Sequence, residues 1–115
     1  MDPRVRLVIN LMEDDLRSSL CLAGMARAVN LSPSRLRHMF KAEVGKTPTQ
    51  YLQRLKKERA RRMLETTFMS VKEIVHLVGF NDRSRFTRDF KRDCGLTPTQ
   101  YRARQWQVAA AAAPR

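Results

Sequence analysis

Cysteine, aromatic side chains and long apolar runs are all scarce in this sequence. Aromatic residues make up 7% of the chain, and no apolar run approaches the ~20 residues that a membrane-spanning helix needs. No basic-then-apolar leader opens the chain, and the only two cysteines, Cys21 and Cys94, lack any metal-ligand spacing. We therefore expect a cytoplasmic protein with reduced thiols and without a metal site.

The features of a catalytic centre are also missing. We find no glycine-rich loop that could hold a phosphate, no nucleophile–base pair and no carboxylate pair in a plausible pocket. A helical domain of 115 residues also has little room for a cleft. The sequence therefore predicts that the protein is not an enzyme and carries no cofactor.

Basic residues outnumber acidic residues by about two to one. The chain has 11 Asp and Glu against 23 Lys and Arg, which gives a net charge of +12 and a pI near 11.0. Such a charge predicts a polyanionic partner, but it does not by itself separate DNA, RNA and an anionic membrane. An apolar content of 43% favours a globular protein over a disordered one.

One stretch of the chain occurs twice, at an offset of 50 residues: Ser34–Tyr51 and Ser84–Tyr101. Each copy begins as a helix with apolar residues at positions i, i+4 and i+8, which are Leu36, Phe40 and Val44, then Phe86, Phe90 and Cys94. We expect all six to be core residues, with Cys94 as a small buried hydrophobe. A glycine follows at the C-cap position, and Thr-Pro starts the next helix.

Each copy also carries a polar, cationic stripe on the opposite face of its helix. The stripe of a copy is the set of positions i, i+3, i+4 and i+7, namely Ser34, Arg37, His38 and Lys41, then Ser84, Thr87, Arg88 and Lys91. These stripes would suit a DNA groove. A solvated face is the alternative, and one stripe alone would favour it. The duplication favours the groove.

Similar flanking elements surround both copies. A helix is predicted over 3–14, followed by a polar connection at Asp14–Ser19 and a short helix over 22–29. This helix is expected to end near Asn30, a residue that tolerates a left-handed turn. Ser32 caps the next helix. A short helix, a tight turn and a second amphipathic helix together predict a helix-turn-helix. The second unit repeats this pattern: Ser70 and Glu73 form a capping box, Phe80-Asn81-Asp82 is a turn, and Asp82–Asp93 is a helix.

The predicted fold is all-α, with about seven helices and two helix-turn-helix units joined by a long central helix. The proposed organisation is a domain over 3–106, with a first unit 3–46, a linker helix 47–66, a second unit 67–106, and a flexible tail 107–115. The central helix runs to about Glu65, and its cations are expected to be solvated or near phosphates: Arg54, Lys56, Lys57, Arg59, Arg61 and Arg62. A final short helix is predicted over Pro98–Trp106.

The two repeated units and the helix between them resemble the DNA-binding domain of the AraC/XylS family of bacterial transcription regulators, over roughly Val5 to Arg104. The second unit carries the most specific matches: Ile74, Gly79-Phe80, Ser84-Arg85-Phe86, Arg88-Asp89-Phe90-Lys91, Gly95, Thr97-Pro98 and Tyr101-Arg102. The first unit matches through Ala26, Leu31-Ser32, Leu36, Phe40-Lys41, Gly45 and Tyr51-Leu52. Cys21 at an N-cap, Val75 and Asn30 depart from the family pattern, and we expect them to affect stability rather than function.

The resemblance implies that the third and sixth helices, about 33–44 and 82–93, contact bases in two adjacent major-groove segments. The candidates for base contact are Ser34, Arg35, Arg37, His38, Ser84, Arg85, Thr87 and Arg88. Arg37 and Arg88 are the strongest, because a guanidinium can bond both acceptors of guanine. Lys41 and Lys91 are expected to contact phosphates, and Arg83 either a phosphate or a base. For Ser34 and Ser84, a solvated surface position is an equal alternative.

The function implied is sequence-specific binding of double-stranded DNA and regulation of transcription. The family resemblance further implies RNA polymerase as a partner. It leaves two alternatives equally open: an N-terminal effector or dimerisation domain outside this chain, or a short stand-alone regulator. A non-specific nucleic-acid coater or a protein-contact module is the alternative. That alternative predicts unpatterned charge, whereas these cations recur at matched positions in two capped repeats.

The length of the central helix predicts the spacing of the two DNA half-sites. The segment 48–65 would span about 27 Å at ~1.5 Å per residue, and successive major-groove faces lie about 34 Å apart. We expect a fixed spacing of about one turn, so a ~5 bp insertion between half-sites should reduce binding to that of one half-site. Binding to a series of spacer lengths tests this. Full recovery at a ~10 bp insertion would instead indicate a flexible tether.

Overall fold

The computed structural model describes residues 1–14 and 22–112. Across these residues it contains seven α-helices and no strand, which confirms the predicted all-α fold. The helices are α1 (Pro3–Asp14), α2 (Leu22–Ala28), α3 (Pro33–Val44), α4 (Pro48–Thr66), α5 (Val71–Val78), α6 (Arg83–Cys94) and α7 (Pro98–Ala112). The predicted connection after Asp14, the Cys21 cap and the last three residues lie outside the described part.

The first compact unit, Met1–Lys56, has its own apolar core. α1, α2, α3 and the first part of α4 supply this core at helical spacing: Val5, Val8, Met12, Met25, Ala26, Val29, Leu36, Phe40 and Leu52. The backbone N–H of Asp2 donates to both carboxylate oxygens of Glu43, at 3.1 and 3.0 Å, and so ties the start of α1 to α3. Asn30 adopts φ 62°, which confirms the left-handed turn expected there.

The second compact unit, Lys57–Arg115, is built around aromatic rings. Phe86 on α6 lies 5.2 Å from the ring of Phe80 and 5.8 Å from that of Phe90, and Phe90 lies 5.3 Å from Tyr101 on α7. Apolar residues of α4 and α5 complete the core: Ala60, Leu64, Ile74, Val75 and Val78. The packed rings hold the buried face of α6 and so leave its opposite face exposed.

Side-chain caps fix where each helix of the repeat begins. Ser32 accepts from the N–H of Arg35 at 3.2 Å, and Ser70 and Glu73 form the predicted capping box. A second type of box was not predicted: Thr47 and Gln50 bond reciprocally, and so do Thr97 and Gln100. The Thr-x-x-Gln spacing present in both copies is the signal that would have predicted it.

Glycine ends both α3 and α6 because of the backbone conformation that this position requires. Gly45 and Gly95 have φ of 84° and 78°, and each donates its N–H to the carbonyl of a lysine one turn earlier, Lys41 or Lys91. A Cβ built at either position would meet nothing within 4 Å. The requirement for glycine therefore comes from the left-handed conformation and not from crowding.

Several predicted boundaries were wrong. α6 begins at Arg83, because the Asp82 side chain serves as the N-cap, and it ends at Cys94, before the left-handed Gly95. Both ends lie one residue later than predicted. α7 continues through Ala112, well past the predicted end at Trp106, because alanine strongly favours helix. The flexibility of the tail and the division into units with a separate linker helix stay predictions.

Two burial predictions were also wrong. Cys94, the last residue of α6, is exposed and does not join the core. Partial burial of the thiol, followed by the charge of Asp93, raises the pKa of Cys94, so the thiol stays protonated at neutral pH. Lys56 is only 5% exposed because it shares the buried face of α4 with Leu52 and Ala60, and this burial lowers its pKa.

Removing the cap of α6 should destabilise the second unit. Asp82 accepts from the N–H groups of Ser84 at 2.9 Å and Arg85 at 3.2 Å. We expect Asp82→Ala to lower the free energy of unfolding by about 1 kcal/mol, measured by urea denaturation. Asn81→Ala, an exposed change in the same turn, is the control and should stay within ~0.5 kcal/mol of the parent. Equal effects of the two changes would contradict the assigned cap.

Candidate nucleic-acid interface

α3 exposes a continuous polar face in the first unit. Leu36 and Phe40 are fully buried on the inner side of this helix and fix its rotation about its own axis. The predicted site residues lie exposed on the outer side, along three successive turns: Ser34, Arg35, Arg37, His38 and Lys41. The structure thus brings together all the candidates that the sequence assigned to this unit.

α6 presents the equivalent face in the second unit. Phe86 and Phe90 are buried, and the outer side carries the predicted residues Arg83, Ser84, Arg85, Arg88 and Lys91, all of them exposed. Thr87 is the exception. It is half-buried, and its hydroxyl donates to the carbonyl of Arg83 at 2.9 Å.

The acidic residues of these helices lie away from the stripes. On α6, Asp89 pairs with Arg92 at 3.4 Å, and Asp93 pairs with Lys57 of α4 at 3.6 Å. On α3, Glu43 accepts from the Asp2 backbone. Within the described residues, no carboxylate forms an ion pair with the cations of the stripes, Arg37, Lys41, Arg88 and Lys91. These cations are therefore available to an anionic ligand.

A polar network holds α7 against the second half of α4. Arg61 donates to Glu65 and to the Tyr101 hydroxyl, both at 3.1 Å, and it also bonds Glu58. Tyr101 in turn donates to Glu65. The pKa of Arg61 is raised, mainly by its bond to Glu58, and burial together with the Glu65 bond raises the pKa of Tyr101. Both groups keep their protons at neutral pH.

The end of α4 is capped by side chains from α7. Arg102 donates to the carbonyl of Leu64 at 3.0 Å, and the Trp106 indole donates to that of Glu65 at 3.1 Å. The Arg102 guanidinium also lies over the Trp106 ring, 5.2 Å from its centroid. Sequence reasoning did not find these partners, because they lie about 40 residues apart in the chain. Arg61, which was expected to be solvated or near a phosphate, is instead a structural residue.

Other kinds of site find no support in the part of the chain that the structure describes. Residues 1–14 and 22–112 contain no group of three or more His, Cys, Asp or Glu side chains placed to hold a metal ion. None of the described helices is both long enough and apolar enough to cross a bilayer. The two stripes are therefore the strongest candidate sites.

Two capped helix-turn-helix units, each with a cationic stripe exposed on its second helix, define a DNA-binding domain of the kind found in transcription regulators. A family model described as a helix-turn-helix domain matches residues 25–104. The Arabinose operon regulatory protein of Escherichia coli K12 is 36% identical over 104 residues, which are 90% of this chain and 36% of that protein. The transcriptional activator RhaS of Citrobacter koseri is 32% identical over 77% of this chain and 32% of its own length.

Solved structures show the same fold. An AraC-type transcriptional regulator from Chromobacterium violaceum matches with a TM-score of 0.82 and 28% identity, covering 90% of this chain and 92% of that one. The DNA-binding domain of AdpA, solved in complex with a target DNA, matches with a TM-score of 0.82 and 26% identity over 98% of this chain and 100% of its own. The chain belongs to the AraC/XylS family of helix-turn-helix transcription regulators and has the fold of their DNA-binding domain. It spans about a third of the length of the curated relatives it matches.

Proposed function

We propose that this domain binds specific sequences of duplex DNA through α3 and α6, each inserted in a major groove, and thereby regulates transcription. The observation that carries the proposal is the pair of exposed cationic stripes at matched positions of two capped repeats. Family membership supports it, as does the AdpA domain, which has the same fold and was solved bound to its DNA target.

The exposed polar residues of α3 and α6 would divide between two tasks. Arg37 and Arg88 are exposed and would each bond the O6 and N7 acceptors of a guanine. Ser34, Arg35, His38, Ser84 and Arg85 flank them and would contact neighbouring bases. Lys41 and Lys91 lie a turn further along, and Arg83 lies at the N-terminus of α6, so these three would bind phosphates and fix the register. Arg37-His38 and Thr87-Arg88 occupy the same positions in the two copies but differ in their side chains. We therefore expect the two half-sites to differ in sequence.

The remaining proposals concern the whole regulator. We propose an effector or dimerisation domain N-terminal to this chain; the relatives are about three times as long as the chain, which leaves room for a further domain. Contact with RNA polymerase would follow from the activator role in the name of RhaS. We further propose a cytoplasmic location and no catalytic activity, in keeping with relatives that are transcription regulators.

A competition assay tests sequence specificity. A duplex enriched from random sequence by the protein would be labelled and challenged with unlabelled duplexes of two kinds, the same site and a scrambled site of equal composition. We expect the scrambled duplex to compete at least ~10³-fold less well at physiological salt. Equal competition would leave a non-specific coater as the function and would overturn the proposal.

A further inference from the structure

Thr87 differs from its neighbours on the stripe of α6 in what its polar group does. It lies between Ser84 and Lys91 on this face, and its hydroxyl donates to the Arg83 carbonyl, one turn earlier on the same helix, at 2.9 Å. A threonine hydroxyl has one proton to donate. The donor of Thr87 is therefore already used by the helix backbone and is not available to a base.

The hydrogen bond leaves two groups of Thr87 that could meet DNA: the methyl group and the lone pairs of the oxygen. A β-branched side chain in a helix has few allowed rotamers, so placing the hydroxyl on the backbone carbonyl also fixes the methyl. Thymine is the base that presents a methyl group in the major groove. Two methyl groups would meet without any unpaired donor or acceptor between them.

We propose that Thr87 specifies a thymine in the DNA segment bound by α6, through contact between its methyl group and the 5-methyl group of the base. This inference rests on the proposed function, because it assumes that α6 enters the major groove. The corresponding position of α3 is Arg37, a long side chain with donors only. The two units thus contact their bases at this position through different chemistry, which gives the two half-sites different sequences.

The competing role for Thr87 is that of an acceptor. Its oxygen could accept from the amino group of an adenine or a cytosine, and the thymine methyl would then be irrelevant. Two variants separate these roles. Thr87→Val keeps the methyl group and removes the oxygen, and Thr87→Ser keeps the hydroxyl and removes the methyl group.

The experiment replaces thymines of the enriched duplex one at a time with deoxyuridine, which lacks only the 5-methyl group. The half-site bound by α6 is the one whose base preference relaxes in Arg88→Ala. At one thymine of that half-site, the replacement should weaken binding of the wild type and of Thr87→Val about fourfold, the value of one buried methyl group. Thr87→Ser should bind the two duplexes equally.

Three results would overturn the inference. One is a wild-type protein that tolerates deoxyuridine at every thymine of this half-site. Another is the same sensitivity in Thr87→Ser as in the wild type, and the third is loss of binding in Thr87→Val, which would show that the oxygen is used. Deoxyuridine in the other half-site is the control and should affect wild type and Thr87→Ser alike. Failure to enrich any sequence would instead refute the proposed function.

Discussion

Raising the salt concentration from 50 to 200 mM should weaken duplex binding by about 10³- to 10⁵-fold if the domain neutralises six to ten phosphates. The cause is release of condensed counterions when lysine and arginine side chains approach the DNA backbone. The chain carries a net charge of +12, and the cations of both stripes form no ion pairs with the other described residues. A plot of log K against log salt should be linear, with a slope of about −0.9 per neutralised phosphate.

Single lysine variants make this test specific to the stripes. Lys41→Ala or Lys91→Ala should each reduce the slope by about 0.9 and weaken all sequences similarly. Lys57→Ala removes the same charge from a residue that pairs with Asp93 behind α6, and the slope should barely change. A slope near zero for the wild type would contradict nucleic-acid binding, and equal slopes for Lys57→Ala and Lys91→Ala would contradict the assigned phosphate contacts.

Replacing Arg37 or Arg88 with alanine should cost about 1–3 kcal/mol of binding free energy on the enriched site, roughly a 5- to 150-fold loss of affinity. The loss is this large because a bidentate guanidinium discriminates guanine from the other bases. Each variant should also relax the preference at one or two base pairs within its own half-site only. Titration of a set of singly substituted duplexes would measure both effects.

Arg92→Ala is the matched control on α6. Arg92 has the same charge and lies on the same helix, but it pairs with Asp89 and Asp93, away from the stripe. We expect its affinity to change by less than about 0.5 kcal/mol, and its base preferences not at all. An Arg88→Ala variant that keeps both affinity and preference would show that α6 has been assigned the wrong role.

Much of the fold was predictable because the same pattern of apolar, capping and glycine positions occurs twice in the sequence. The offset of 50 residues aligns Phe40 with Phe90 and Gly45 with Gly95, and in each pair both residues play the same structural part. The helix-starting caps at Ser32 and Ser70 also follow from local sequence, since each bond joins residues three apart. Local patterns of this kind are sufficient to place a helix and its exposed face.

Contacts between distant residues could not be predicted. The Lys57–Asp93 ion pair and the bond from Arg61 to Tyr101 join residues some 36 and 40 positions apart, and no sequence pattern indicates either. The alignment of the two copies also gave one wrong prediction, the burial of Cys94. Val44 packs partly against the core, whereas its counterpart Cys94 is exposed, because equal spacing does not ensure equal burial at the end of a helix.

α3 and α6 should each recognise their own block of bases. Selection of bound duplexes from a random pool, carried out in parallel with the wild type, Arg37→Ala and Arg88→Ala, tests it most directly. The wild type should enrich two blocks of different sequence, and each variant should lose preference in one block while keeping the other. A single enriched block, or loss of the same positions in both variants, would contradict recognition by two separate helices.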